Sequence, residues 1–263
     1  MMKVLVVIVN YEDEQLEYLE KMVRMFKSFE KFNVTIIVNS NINIDINGID
    51  KVNIIELNDY QLLPLTCRKT IWENRNIYDL FIYSENDHLF FENHLDKHLE
   101  YSNLLPKKYL PGLIQYEELN GKKYYPGYHN DFDWDIKSVV KYDDKIFAHF
   151  NNVHQASFIL TKNQLKRVSN KINFTRLKEY NKLEYLFYRI FKKDKLKKKY
   201  SDKCKVNTDI YEFGGMKKVI CISEFNENLI HHLPNIYING EKGRKKLRSE
   251  QDKMDAALKK MLS

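Results

Sequence analysis

Residues 77–90 read Ile-Tyr-Asp-Leu-Phe-Ile-Tyr-Ser-Glu-Asn-Asp-His-Leu-Phe, a short apolar run that ends abruptly in acidic residues. Leu80, Phe81, Ile82 and Tyr83 leave no polar face, so as a strand they are buried on both sides. That demands a sheet with helices on both faces. Such a strand delivers Glu85 and Asp87 to the carboxyl edge, where open α/β sheets bind their ligands.

The flanking pattern agrees with such a sheet. Residues 3–9 predict a buried strand, and residues 11–29 an amphipathic helix with Leu16, Leu19, Val23 and Phe26 at helical spacing. A strand at 34–38 runs into Asn39-Ser40-Asn41, and 52–57 predicts a third. Pro64 then opens a helix through Cys67, Arg68, Ile71 and Trp72. The order β-α-β-β-α-β implies a mostly parallel, Rossmann-like α/β sheet flanked by helices. Beyond Asp87, turn signals at Pro106, Pro111-Gly112, Asn120-Gly121 and Pro126-Gly127 separate short strands. This section suits the choice of a second substrate. Residues 156–160 read as a strand, Thr161-Lys162-Asn163-Gln164 as a helix start, 219–222 as a last core strand and 241–263 as a basic helix.

With 263 residues and 43% hydrophobic side chains the chain can bury a proper core. It reads as one domain: residues 1–90 form one half, 91–240 a second half carrying a basic helical insertion at about 171–205, and 241–263 the last helix. Residues 4–9 are too short an apolar run for a secretory signal, and nothing approaches the length of a membrane span, so a cytoplasmic protein is expected. Cys67, Cys204 and Cys221 lack CxxC spacing and suggest reduced structural thiols.

Charge is concentrated. Residues 162–205 hold 16 Lys and Arg against 4 Asp and Glu, so this segment carries +12 of a total of +7 and the rest of the chain −5. Within it Leu177, Tyr180, Leu183, Phe187 and Ile190 keep helical spacing beside Lys192-Lys193, Lys195 and Lys197-Lys198-Lys199. A basic amphipathic helix of this kind fits the headgroup layer of an anionic membrane at the inner face. It equally fits a core-facing helix with a solvated back. A nucleic-acid-binding protein using this segment is the alternative reading of the whole chain.

Taken in order, several stretches resemble the GT-A glycosyltransferases, which use nucleotide-sugar donors. Val7-Ile8-Val9-Asn10-Tyr11 is similar to the family's first strand and nucleotide-contacting loop, Arg68 sits where a basic residue is common, and Tyr83-Ser84-Glu85-Asn86-Asp87 resembles the DxD region. His154-Gln155-Ala156-Ser157-Phe158-Ile159-Leu160 through Leu165 resembles the strand and helix start beneath donor and acceptor. The resemblance implies a GT-A fold with a smaller acceptor-side sheet, and transfer of a sugar, by inversion, to a hydroxyl of a glycan or lipid-linked glycan. It implies Mn²⁺ or Mg²⁺ on Asp87, with Glu85 at the ribose or the metal, and Asn10, Tyr11, Arg68 and Asn86 near the nucleotide. A divalent ion held by carboxylates and phosphate oxygens supplies the counter-charge that a departing diphosphate needs.

Inversion requires a carboxylate to take the acceptor's proton. Asp209 and Glu212 in Thr208-Asp209-Ile210-Tyr211-Glu212 are the family-like acidic pair, although an N-cap at Asp209 with Glu212 three residues on explains them as well. His231-His232 lies after the last core strand, where the family places a metal- or diphosphate-contacting His; the order of the two roles stays open. His94 and His98 have zinc-binding i, i+4 spacing but no third ligand, and read as helix surface. Tyr124, Tyr125, Tyr128, His129, Asp131, Asp133 and Trp134 suit either a sugar-binding loop or core packing. Glu85 and Asp87 themselves also fit simple loop caps. Neither GxGxxG nor GxxxxGK[ST] occurs, which argues against dinucleotide enzymes and P-loop NTPases.

Overall fold

The computed structural model describes residues 1–126, 133–179, 200–239 and 248–263. The first half runs β1 (Met2–Asn10), α1 (Leu16–Lys27), β2 (Phe32–Ser40), β3 (Lys51–Ile54), α2 (Leu63–Glu73), β4 (Leu80–Glu85), β5 (His88–Leu89) and α3 (Glu92–Leu104). Six strands follow: β6 (Tyr109–Pro111), β7 (Ile114–Leu119), β8 (Lys122–Pro126), β9 (Trp134–Tyr142), β10 (Lys145–Phe150) and β11 (Ser157–Thr161). The rest is α4 (Lys162–Ser169), α5 (Asp202–Phe213), β12 (Lys217–Cys221), β13 (Leu229–His232), α6 (Ile236–Asn239), β14 (Arg248–Glu250) and α7 (Gln251–Leu262).

The described residues form a mixed α/β structure with three sheets. The first has the order β11-β4-β1-β2-β3. β3, β2, β1 and β4 are parallel, and β11 closes the edge antiparallel to β4. Side chains alternate across a strand, and both faces of β1 are apolar. Leu5, Val7 and Val9 join Phe81 and Tyr83 of β4 in a core that also takes Cys67 and Ile71 of α2 and Val206 and Ile210 of α5. Val4, Val6 and Ile8 join Leu80 and Ile82 in a second core with Leu19, Met22, Val23 and Phe26 of α1 and Leu95 of α3. Burial of β1 and β4 on both faces is what their uninterrupted apolar sequence requires.

Boundaries differ from the sequence expectation where the backbone leaves the helical region. Helix α1 begins at Leu16 rather than at residue 11, because Glu12 adopts φ of 55° and ends helical propagation. Asn41 holds that turn, accepting from the Glu12 N–H at 2.9 Å and donating to Glu12 Oε1 at 2.8 Å. The strand expected at 52–57 is confined to β3. The last helix starts at residue 251, and residues 240–247 lie outside the described set.

The second half is richer in strand than one smaller sheet. One sheet has the order β6-β12-β10-β9, the other β14-β8-β7-β13-β5. Helix α3 packs with its histidines inward, not on the surface as its spacing suggested. His94 Nε2 meets the Leu229 carbonyl at 3.0 Å and His98 Nε2 the Gln164 Oε1 at 2.9 Å; burial lowers both to about 4, so both are neutral core residues. The three cysteines are buried and form no disulfide. No helix among the described residues is long and apolar enough to cross a membrane. Most of the basic segment, with Tyr180, Leu183, Phe187, Ile190 and Lys192 to Lys199, lies outside the described residues, as do Tyr128, His129 and Asp131.

One buried cation in β12 stands apart. Lys218 is fully buried, and its ammonium meets the Asn152 carbonyl at 3.5 Å and the face of Tyr211, 5.4 Å from the ring centroid. Its stem passes so close to Gly112 that a Cβ there would lie 2.4 Å from the lysine Cε. Burial pushes the amine well below the ordinary lysine range. The unfolded chain therefore binds this proton more readily than the folded one, and the lysine's contribution to stability rises with pH until the unfolded lysine itself titrates. Lys218→Met is expected to raise Tm at neutral pH, by on the order of 1–3 kcal/mol of stability, and to flatten the rise above neutrality. Thermal melts of both proteins from pH 6 to 10 check this; a lower Tm in the variant at pH 7 contradicts it.

Candidate metal centre

The carboxyl ends of β1 and β4 meet where β2 lies on one side of β1 and β4 on the other, the kind of position at which open α/β sheets take ligands. Chain direction then does something specific. β4 ends at Glu85 in the first sheet, and after two intervening residues His88 begins β5 in the third. Asp87 is the bridge between the sheets. It is 7% exposed, so its charge is matched inside the protein or not at all.

The match comes from the third sheet. β5 and β13 are antiparallel, with His88 directly opposite His232. Their rings lie 5.0 Å apart, and both turn a nitrogen to Asp87: His88 Nδ1 is 2.5 Å from Oδ1 and His232 Nε2 is 3.4 Å from Oδ2. Burial alone would raise the Asp87 carboxyl; the two imidazoles instead hold it well below the ordinary range. Burial opposes charge on His232, yet Asp87 and Glu117, one on each ring nitrogen, raise it to about 9. Glu117 is completely buried, 2.7 Å from His232 Nδ1, and accepts the Tyr237 and Ile238 backbone N–H groups at 3.0 and 2.8 Å.

Asp87, His88 and His232 form a cluster whose ligand atoms lie within 4.8 Å of one another. His88 Nδ1 and Asp87 Oδ1 face each other in a close buried contact, and neither atom has another partner among the described residues. One buried carboxylate with two imidazoles gathered this closely is a donor set that divalent ions accept. The residues present therefore fit the implied metal.

The histidine pair divides by strand alternation. His232 faces Asp87, whereas His231, on the other face, stacks on Tyr116 with ring centroids 4.9 Å apart. Glu85 is partly buried at the end of β4, and its Oε1 has no partner among the described residues. Burial raises its carboxyl, Asp87 adds to this, and Lys203 at the start of α5 opposes it. The Glu85 N–H donates to the carbonyl of Ala156 at 3.1 Å, a non-glycine residue at φ 49°. Such a sparsely populated backbone conformation persists where its surroundings impose it.

Asn10 and Asn86 are both buried and spend their amides on the chain. Asn86 donates to Asn10 Oδ1 at 2.6 Å, while Asn10 donates to the Glu12 carbonyl at 2.8 Å and to Ser40 Oγ at 3.3 Å. They tie together the loops at the sheet's edge. Tyr11 is 52% exposed and packs on Tyr60, with ring centroids 5.3 Å apart, leaving aromatic surface beside that edge.

Two expected positions lie elsewhere. Arg68 is fully buried: its guanidinium donates to the carbonyls of Phe174, Asn173 and Arg176 at 2.6, 3.2 and 3.2 Å, and lies 3.8 Å from Asp209 Oδ2. Five fixed donors suit it to gathering a loop's carbonyls, and none of these contacts leaves it facing a nucleotide. Asp209 accepts the Lys178 N–H at 2.8 Å and pairs with Arg68. It lies in the later half of α5, not at an N-cap, because helix already begins at Asp202. Glu212 is exposed on the same helix. Both contacts of Asp209 are to Oδ2, so it braces the segment after α4 through that oxygen.

Sequence reading passed over His88, Gln115 and Glu117. His88 adjoins Asp87, but only the register of β5 against β13 shows which way its ring turns. Gln115 and Glu117 alternate along β7, a pattern that ordinary surface strands share. No protein-family model matches the chain, and no curated protein is significantly similar to it in sequence.

The two views of Arg68 separate experimentally. Arg68→Met removes the ion partner of buried Asp209 and the side-chain donor of three loop carbonyls and is expected to cost about 3–5 kcal/mol. Urea unfolding measures this; unchanged stability with impaired nucleotide binding would return Arg68 to the ligand.

Proposed function

We propose that the protein is a metal-dependent glycosyltransferase of the GT-A kind. It would move a sugar from a nucleotide-diphosphate donor to a hydroxyl of a glycan or lipid-linked glycan. The observation that carries this reading is the buried Asp87–His88–His232 cluster, at the carboxyl edge of a parallel sheet with an antiparallel edge strand. The order β3-β2-β1-β4 followed by antiparallel β11 supports a Rossmann-like donor half.

Each residue acts through its contacts. Asp87, His88 and His232 hold the divalent ion, which when bound supplies counter-charge to the departing diphosphate. Glu85, a carboxylate with one unpaired oxygen next to Asp87, accepts a hydroxyl of the donor. Tyr11 and Tyr60 offer ring faces to the nucleotide base. Asn10 and Asn86 hold the loops that carry these groups, and Arg68 and Asp209 brace the segment over α2. Asp209 is left out of proton transfer, since it is buried and its Oδ2 is held by Arg68 and the Lys178 N–H. The undescribed basic segment suits docking on an anionic membrane that carries the acceptor.

A thermal-shift screen of nucleoside diphosphates and nucleotide sugars, with and without Mn²⁺, tests the reading. A ligand at a hundred times its Kd stabilises the fold by about 2.7 kcal/mol. The expected result is a rise in Tm with one nucleotide, present only with metal and lost in Asp87→Ala. An Asp87→Ala protein that is folded and responds like wild type overturns the metal assignment, and indifference to every nucleotide overturns the transferase reading.

A further inference from the structure

Resting on the metal-dependent reading of the same cluster, we infer that strand β7 orients both histidines as ligands, through Gln115 and Glu117, and that the site selects a first-row transition ion over Mg²⁺. The two residues are separated by one position, so they share a face of β7. That face lies against β13, which brings it to His232 and, one strand further, to His88. Glu117 takes the outer nitrogen of His232, Nδ1, at 2.7 Å. The Gln115 amide nitrogen lies against the outer nitrogen of His88, Nε2. The inner nitrogens, His232 Nε2 and His88 Nδ1, are the ones that face Asp87.

A neutral imidazole carries one N–H and one lone pair. A carboxylate on Nδ1 keeps one proton of His232 there, so a cation that displaces the inward proton of Nε2 meets that nitrogen's lone pair. Gln115 does the same for His88 when its amide oxygen faces Nε2, since a half-turn of the terminal amide exchanges its oxygen and nitrogen at little cost. His88 Nδ1 is then a lone pair beside the Asp87 oxygen. Gln115 and Glu117 are positioning residues: each acts through a histidine, and neither is itself a ligand.

Ion choice follows from the donor set. Mg²⁺ keeps its waters and takes oxygen ligands, whereas two imidazoles with one carboxylate suit first-row transition ions. Mn²⁺ therefore stands ahead of Mg²⁺ for this site.

Calorimetric titration of Mn²⁺ and Mg²⁺, with the electron paramagnetic resonance of bound Mn²⁺, tests this on wild type, Gln115→Leu and Gln115→Glu. Wild type is expected to bind Mn²⁺ at least about tenfold more tightly than Mg²⁺. Gln115→Leu should lose about 10–100-fold in Mn²⁺ affinity, and Gln115→Glu, able only to accept from Nε2–H, should restore it. A merely structural glutamine predicts no such split, and melting without metal shows whether either variant is folded. Equal losses in both variants mean that Gln115 donates to His88 and overturn the inference, as does unchanged affinity in Gln115→Leu or equal binding of the two ions. In those cases wild type still binds Mn²⁺ and the transferase reading stands. Wild type that binds neither ion with nucleoside diphosphate present overturns the metal-dependent reading as well.

Discussion

A carboxylate removed from water loses several kcal/mol of hydration unless charge or hydrogen bonds replace it. Asp87 loses nearly all of its hydration at the point where the chain passes from one sheet to another, and two imidazoles replace it. Much of the surrounding structure follows from that position. β4 is apolar on both faces because helices cover the first sheet on both sides, which is why its end can present acidic side chains only along the edge. β5, two residues long, is sufficient because its role is to set His88 opposite His232. Behind both stands β7, whose Gln115 and Glu117 occupy the nitrogens turned away from Asp87.

Glu117 also links this centre to the next segment of chain. By accepting the N–H groups of Tyr237 and Ile238, it seats the first turn of α6 against the same residue that orients His232. Elsewhere buried charge has different purposes. Arg68 and Asp209 are paired and gather a loop by its carbonyls, whereas Lys218 has a single distant carbonyl and an aromatic face. The first arrangement is costly to break because several partners depend on it, and the second costly to keep because one distant carbonyl replaces water poorly.

How far the sequence could be read depended on which signals are local. The apolar runs of β1 and β4, the proline opening α2, and the reciprocal Thr161–Gln164 cap of α4 are local, and the first sheet is legible from them. Asp87 was legible because an acidic residue after such a strand has few other places to go. The three strands that complete the centre were not, because pairing β5 with β13 joins residues more than a hundred positions apart. Alternation within His231-His232 separates their roles only once that register is known. Arg68 and Asp209 misled for a related reason: a charged residue in a family-like position and one locked to a partner on another helix read alike in one dimension.

The central claim is that Asp87, His88 and His232 jointly hold a divalent ion at the phosphate end of a nucleotide. A crystal of the protein with Mn²⁺ and the nucleoside diphosphate that stabilises it best, measured at the manganese absorption edge, tests this most directly. The account predicts one strong anomalous peak bonded to Asp87, His88 Nδ1, His232 Nε2 and a phosphate oxygen. A nucleotide bound without manganese at these three residues, or manganese held by other side chains, would contradict it.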